Sequence, residues 1–276
     1  MGDKVENLEA KRIEEVPLSA QNANVFIKCM REYDWLKNII VKGYFQYRYV
    51  TEYLDYLELF KFDDNKKTPI KSITFPMLCF CDIPLNQLED HYKWYGNYAI
   101  CMEKSWGFNK KLEPLHYVIN YSEYVEKYNK IFNDIINDTN SKNESFEFIF
   151  SFLFLLKHFK GPQFCKENEQ VEEKIFVDEQ EWRSIKFFEE DINDIQNFYI
   201  NVDSDYALKL YNQAIAKLDQ NKLEFNVKDI RYIIVNKEED VIKLIEDINN
   251  SDYDSKDKSL LISKINVLDN LREDLM

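Results

Sequence analysis

Apolar positions along this chain follow two periods, and the switches between them outline the elements. Trp35, Leu36, Ile39 and Ile40 recur at helical spacing and stop at Gly43, a residue suited to closing a helix in the left-handed region. The segment 44–49 is aromatic and alternating, which predicts extended chain. Pro76 is expected to precede a strand over 77–83 that Pro84 ends, since proline cannot donate to a ladder. A short amphipathic helix is predicted over 85–95, closed by Gly96. Strands follow at 98–102 and 115–120, then helices at 125–136 and 146–158, the second the most apolar in the chain.

The stretches 61–72 and 163–174 are polar and read as loops. Residues 175–188 alternate and read as one strand, and 230–235 (IRYIIV) as a buried one. Helices are predicted over 206–218 and 238–248, a last strand over 260–265 and a last helix over 266–275. The pattern gives an α+β class: a flexible tail at 1–16, then a single domain over 17–276. That domain has a mixed or antiparallel central sheet and a helical insert near 121–160.

Composition narrows the function classes. The chain has 276 residues, 45% of them hydrophobic, enough for one sizeable core. The longest apolar run, 146–159, is interrupted by Glu147 and Lys157, so no stretch reaches the roughly eighteen residues of a membrane span. The start, MGDKVENLEAKRIEEV, has no apolar core and does not read as a secretion signal, so the expected location is cytoplasmic. With 36 basic and 50 acidic residues the formal net charge is −14. Such a chain repels nucleic acid in general; the acidity reads first as an aid to solubility and, as the sharper alternative, as a match for a basic protein partner, and no membrane association is expected.

Two dense stretches carry candidate chemistry. In "MLCFCDIP" Cys79 and Cys81 share one face of a strand with Met77, while Leu78, Phe80 and Asp82 face the other way. With no second ligand pair elsewhere, metal binding is not expected, and the thiols read as small packing groups. Asp82 either caps the helix that follows or reaches a site at the strand's end. In "FVDEQEWRSIKFF" Glu179, Glu181 and Arg183 are expected on one strand face, with Gln180 and Trp182 on the other. They form either a solvated edge or a carboxylate pair in a cleft, suited to steering a nucleophile or stabilising a cationic transition state. His91, His116 and His158 each read as structural when taken alone.

Taken in order, "PLSAQNANVFIK", "WLKNIIVKGYFQYRYVTE", "FPMLCFCDIPLNQLEDHYKWYGNYAICMEKSWG", "LHYV", "DEQEWR" and "IRYIIVNKEEDVIKLI" resemble the AbiGi family of bacterial abortive-infection proteins. The third piece is the most specific. The matching pieces cover most of 17–248, and 121–170 matches poorly. The resemblance implies phage defence through an antitoxin-like component that binds a cognate toxin, with no cofactor. The order of elements is also similar, more distantly, to ADP-ribosyltransferase-like folds, which implies an alternative: an effector that uses NAD to modify a nucleic acid or protein. In that scheme Glu181 takes the catalytic position with Glu179 as companion, and Arg48, Asp82, His91 and Arg183 line the cleft. Ile27 stands where relatives carry a histidine near the NAD ribose, a departure that counts against NAD.

Overall fold

The computed structural model describes residues 23–63, 66–138, 144–165, 168–188, 195–202 and 204–275. The tail expected at 1–16 lies outside them. The first elements are β1 (Val25–Met30), α1 (Tyr33–Lys42), β2 (Tyr44–Gln46), β3 (Arg48–Tyr53), β4 (Phe60–Asp63), β5 (Lys66–Pro69) and β6 (Ser72–Cys81). Next come α2 (Glu89–Tyr95), β7 (Tyr98–Glu103), α3 (Lys104–Asn109), β8 (Glu113–Pro114), β9 (His116–Val118), α4 (Glu123–Asn137) and α5 (Glu144–Leu153). Then follow β10 (Leu156–His158), β11 (Lys160–Cys165), β12 (Gln170–Ile175), β13 (Glu181–Ile185), β14 (Tyr199–Ile200), α6 (Asp205–Ile215) and β15 (Lys222–Glu224). The chain closes with β16 (Ile230–Val235), α7 (Glu238–Asn249), α8 (Ser255–Ile262), β17 (Ile265–Val267) and α9 (Leu268–Leu275). The class is α+β, built on a mixed sheet.

The central sheet runs β17-β16-β7-β1-β6-β13-β8, with β3 and β14 also paired to β6. Among the described residues only its β16–β17 pair is parallel. β6 organises the rest. One of its edges takes β13 along Met77–Cys81 and β14 at Ile73 and Thr74. The other edge takes β1 at Cys81 alone, through Ile27, and β3 from Met77 back to Ser72. β1 and β3 therefore part company on the same edge, and the sheet splits beside Leu78–Phe80.

Pro76 lies inside β6 rather than before it. It pairs with Tyr49, whose backbone N–H and carbonyl turn away to the Asn212 side chain. The Pro76 carbonyl accepts from the Lys186 N–H on the opposite edge, so its missing donor faces the gap between β13 and β14, where no ladder asks for one.

Alternation along β6 sorts the core as the sequence predicts. Leu78 and Phe80 join Phe26, Met30, Ile100, Met102 and Trp106 on the face covered by α1, α3, α7 and α8. The other face carries two coverings. Near Cys81, Leu88, Tyr92 of α2 and Leu268 of α9 pack over Ile27, Ala99 and Cys101. Near Ile73, Phe75 and Met77 lie Val125, Tyr128 and Phe132 of α4 and Ile149, Phe150 and Leu153 of α5. A cleft opens between these coverings, over Cys79.

Several expected loops are hairpins. The segment 61–72 contains β4 and β5, held by Asn133 and Asn137 of α4, which accept from the Phe60 and Phe62 N–H groups at 2.9 and 2.8 Å. The segment 163–174 lies within the β11–β12 hairpin. Both depend on partners distant in sequence, which local polarity does not register. The helix expected over 146–158 stops at Leu153, and Leu156–His158 pairs in parallel with β9. At the end of the chain, 260–262 belongs to α8, where the Asp254 side chain caps the Asp257 N–H at 2.8 Å, and the strand starts only at Ile265. No helix among the described residues is long and apolar enough to cross a membrane.

Candidate functional site

The cleft measures about 860 Å³ and lies where β1 and β3 diverge. Cys79 of β6 and Glu181 of β13 form its floor, α2 supplies His91 and Tyr95, β3 supplies Glu52, and β10 with the β11–β12 hairpin closes the remaining side. The arrangement follows from register. Cys81 pairs with Glu181 and Cys79 with Arg183, so all four side chains rise on the face where the two helical coverings leave the cleft between them.

The acidic stretch is not a solvated edge. Glu179, Glu181 and Arg183 are 4%, 7% and 1% exposed. Nor do all three share a strand face. Residues Phe176–Glu179 form a 3-10 turn, and Gln180 adopts φ 42°, so Glu179 enters the cleft from the turn while Glu181 enters from β13 with Arg183 behind it. The Gln180 carbonyl accepts from the Asp82 N–H at 3.1 Å and the Glu181 N–H donates to the Tyr117 hydroxyl at 2.9 Å, which fixes the kink.

Glu181 is committed at both oxygens. Arg183 Nε donates to Oε1 at 2.7 Å and Lys157 Nζ lies 3.4 Å from Oε2. Arg183 also donates to Glu52 Oε1 at 2.8 Å and to the Phe154 carbonyl at 2.8 Å, and Lys157 reaches Glu52 at 3.4 Å. Two carboxylates and two cations thus form one buried, charge-neutral cluster. Burial alone would push the Glu181 carboxyl up, but the Arg183 and Lys157 charges outweigh it and hold it well below the usual range. Burial likewise opposes the charge on Lys157, and Glu181 and Glu52 overcome it and raise that amine. Glu179 has its own partners: it pairs with Lys174 of β12 and accepts from the Tyr95 hydroxyl. Chemically, a carboxylate held this way stays ionised and is a poor proton carrier at neutral pH.

The other expected residues divide. His91 lines the cleft. Arg183 backs it through Glu181. Arg48 is exposed on β3 and outside the lining, although its charge is felt at Lys28. Asp82 projects from the opposite face of the sheet, as the alternation at Leu78 and Phe80 requires, and is paired with Lys104. It caps no helix: the turn at Leu85–Gln87 has no side-chain cap. Burial raises its carboxyl despite the Lys104 partner. Among the thiols, Cys81 packs under α2 and Cys79 lies in the cleft floor, and burial pushes both well above the ordinary thiol range. Among the described residues no group of three or more His, Cys, Asp or Glu side chains is arranged to hold a metal ion.

Sequence reasoning missed Glu52, Lys157, Lys174 and Lys28. Lys157 carried a signal: it is one of the two charges that interrupt the most apolar run, and a charge buried there needs a partner. Glu52 carried none, because its partners Arg183 and Lys157 are distant in sequence, and Lys174 was hidden because its pairing with the nearby Glu179 depends on the hairpin and the 3-10 turn that local polarity does not register.

The profile of a family described as "Putative abortive phage resistance protein AbiGi, antitoxin" matches residues 45–236. The chain belongs to the AbiGi family. A relative from Lactococcus lactis subsp. cremoris, described as abortive phage resistance protein AbiGi, is 30% identical over 247 residues, covering 82% of this chain and 98% of the relative. The AbiGi match takes in β3, β6, the 3-10 turn and β13, and with them Glu52, Lys157, Lys174, Glu179, Glu181 and Arg183. No solved structure matches the chain.

The buried cluster predicts an acid response with a definite sign. The Glu181 carboxyl titrates lower folded than unfolded, where its ordinary value is 4.5. Its stabilising contribution is therefore complete above that value and is withdrawn as the pH falls below it. In thermal melts from pH 7 to pH 3, the gap in Tm between the parent and Glu181→Gln should narrow below pH 4.5. A gap that stays constant would show that Glu181 is not held ionised by the fold.

Proposed function

We propose that this AbiGi-family chain is the antitoxin-like component of a two-protein phage-defence pair and acts by binding a cognate toxin. The observation that carries the reading is the state of Glu181. It is the carboxylate best placed for chemistry in the cleft, and both its oxygens are already engaged by Arg183 and Lys157. An ADP-ribosyltransferase-like effector would need that carboxylate free for a substrate hydroxyl or a proton. The family description names an antitoxin. The net charge of −14 suits a basic partner by steering encounter and disfavouring wrong partners.

The test is co-expression with the protein encoded by the neighbouring gene. That protein alone should arrest growth, and this chain should restore it and co-purify as a stable complex whose formation slows as salt is raised. Glu181→Gln, in any preparation that remains folded, should neutralise as well as the parent. The absence of both a complex and growth rescue would refute the proposal.

A further inference from the structure

We infer that the split-sheet cleft is a binding site for a small ligand that joins a planar ring to an anionic group, of the nucleoside monophosphate class. The inference does not depend on the antitoxin reading.

The first observation is an amine without an ion pair: of the carboxylates lining the cleft Asp55 is exposed, and the others are engaged elsewhere. Glu52, Glu179 and Glu181 each have a cation within ion-pair reach. Lys28 lines the same cleft and has no carboxylate partner among the described residues. Its amine donates to the Cys79 carbonyl at 3.2 Å and lies 5.6 Å from the Phe80 ring centre.

The split explains this placement. The Cys79 carbonyl points to the edge of β6 that β1 leaves after Cys81, so the Lys28 side chain serves it where a strand N–H would otherwise do so. An ammonium has three donors, and the described residues engage one of them by hydrogen bonding. Burial lowers the Lys28 amine from its ordinary value and the Glu181 charge offsets this only in part, so a direct counter-charge is missing. An anion at Lys28 supplies that counter-charge.

The second observation is a ring platform. Tyr56 and His158, both in the cleft wall, stack with centroids 5.0 Å apart and planes inclined by 5°. Gly161 permits this packing: a Cβ there would stand 3.2 Å from His158 Nδ1 and 3.3 Å from Phe176 Cε2. Tyr53, Phe164 and Phe176 add aromatic surface to the same cleft. Aromatic faces hold planar bases by stacking, worth about 1–3 kcal/mol per base. The volume of about 860 Å³ falls within the range that encloses a ligand of this size.

The experiment is calorimetric titration of the full chain with AMP, GMP, CMP and UMP, with adenosine and guanosine, and with inorganic phosphate. At least one monophosphate should bind. For a purine hit the matching nucleoside, and for any hit phosphate alone, should bind about tenfold or more weakly. Lys28→Met should reduce nucleotide affinity about tenfold and leave nucleoside affinity nearly unchanged, Lys28→Arg should keep most of it, and Tyr56→Leu should weaken nucleotide and nucleoside together.

The inference is overturned if none of the four monophosphates binds. It is also overturned if phosphate alone binds as tightly, which would make the site one for a free anion. A folded Lys28→Met that keeps full nucleotide affinity would overturn it too. Should Lys28→Met fail to fold, an unchanged affinity in Tyr56→Leu serves the same purpose.

Discussion

Replacing Glu181 with glutamine should destabilise the protein by about 3–5 kcal/mol, a drop in Tm on the order of 10 °C for a chain of this size. The substitution keeps the shape and removes one charge. Arg183, 1% exposed, is then left with Glu52 as its only carboxylate partner. Lys157 loses the carboxylate 3.4 Å away. Two cations face one carboxylate at a largely buried site, and an unmatched buried charge is far more costly than the net worth of the pair it came from.

Two controls separate this account from general sensitivity to substitution. Glu123→Gln breaks an exposed ion pair with Lys127, one helical turn along α4, and should cost at most about 0.5 kcal/mol. The double variant Glu181→Gln with Arg183→Met restores charge balance and should be less destabilised than the sum of its single changes, by about 0.5–3 kcal/mol. Chemical denaturation of the set measures all three. Additive losses, or a cost at Glu181 no larger than at Glu123, would mean that the cluster is not coupled.

Gly96→Ala should cost about 3 kcal/mol or more and in practice lower soluble yield. Gly96 has φ 98° and ψ 169°, a conformation open essentially to glycine alone. A Cβ there would lie 2.4 Å from Arg31 Cα, 2.6 Å from the Met30 carbonyl oxygen and 2.7 Å from the Arg31 nitrogen. All three are backbone atoms at the end of β1, so no side chain can swing aside. The end of α2 would have to leave β1, taking Tyr95 and His91 out of the cleft wall.

Gly43 offers the comparison. It closes α1 at φ 74°, with its N–H donating to the Ile39 carbonyl, and its added Cβ would meet only the Tyr253 side chain, at 2.8 Å from the hydroxyl. Gly43→Ala should therefore cost about 1 kcal/mol. Urea titration of both variants decides the matter. Equal costs would refute the view that backbone contact at Gly96 sets the penalty.

Legibility varied with the range of the interactions involved. The α1 helix and its Gly43 stop were readable because the apolar spacing and the cap sit within a few residues of each other. The side-chain alternation along β6 was readable for the same reason, and it placed Met77, Cys79 and Cys81 opposite Leu78 and Phe80. The turn at Phe176–Glu179 was not. The alternation of its residues imitates a strand, and the Asp82 and Tyr117 contacts that hold the kink come from other parts of the chain. The β4–β5 hairpin was hidden similarly, because the asparagines that hold it belong to α4.

By itself the sequence determined the α+β class, the acidic balance, the positions of α1, β7, β16 and α7, and the family resemblance carried by its most distinctive block. Each of these is a property of neighbouring residues or of composition. The tertiary structure alone decided that Glu181 is buried and doubly paired, that the cleft opens on the Cys79 face of β6 and so away from Asp82, and that Lys28 forms no ion pair among the described residues. The physical reason is that a charge's state depends on its solvation and on the charges within a few ångströms. For Glu181 those charges come from Arg183 two residues away and from Lys157 on a strand that the sequence presented as the end of an apolar helix.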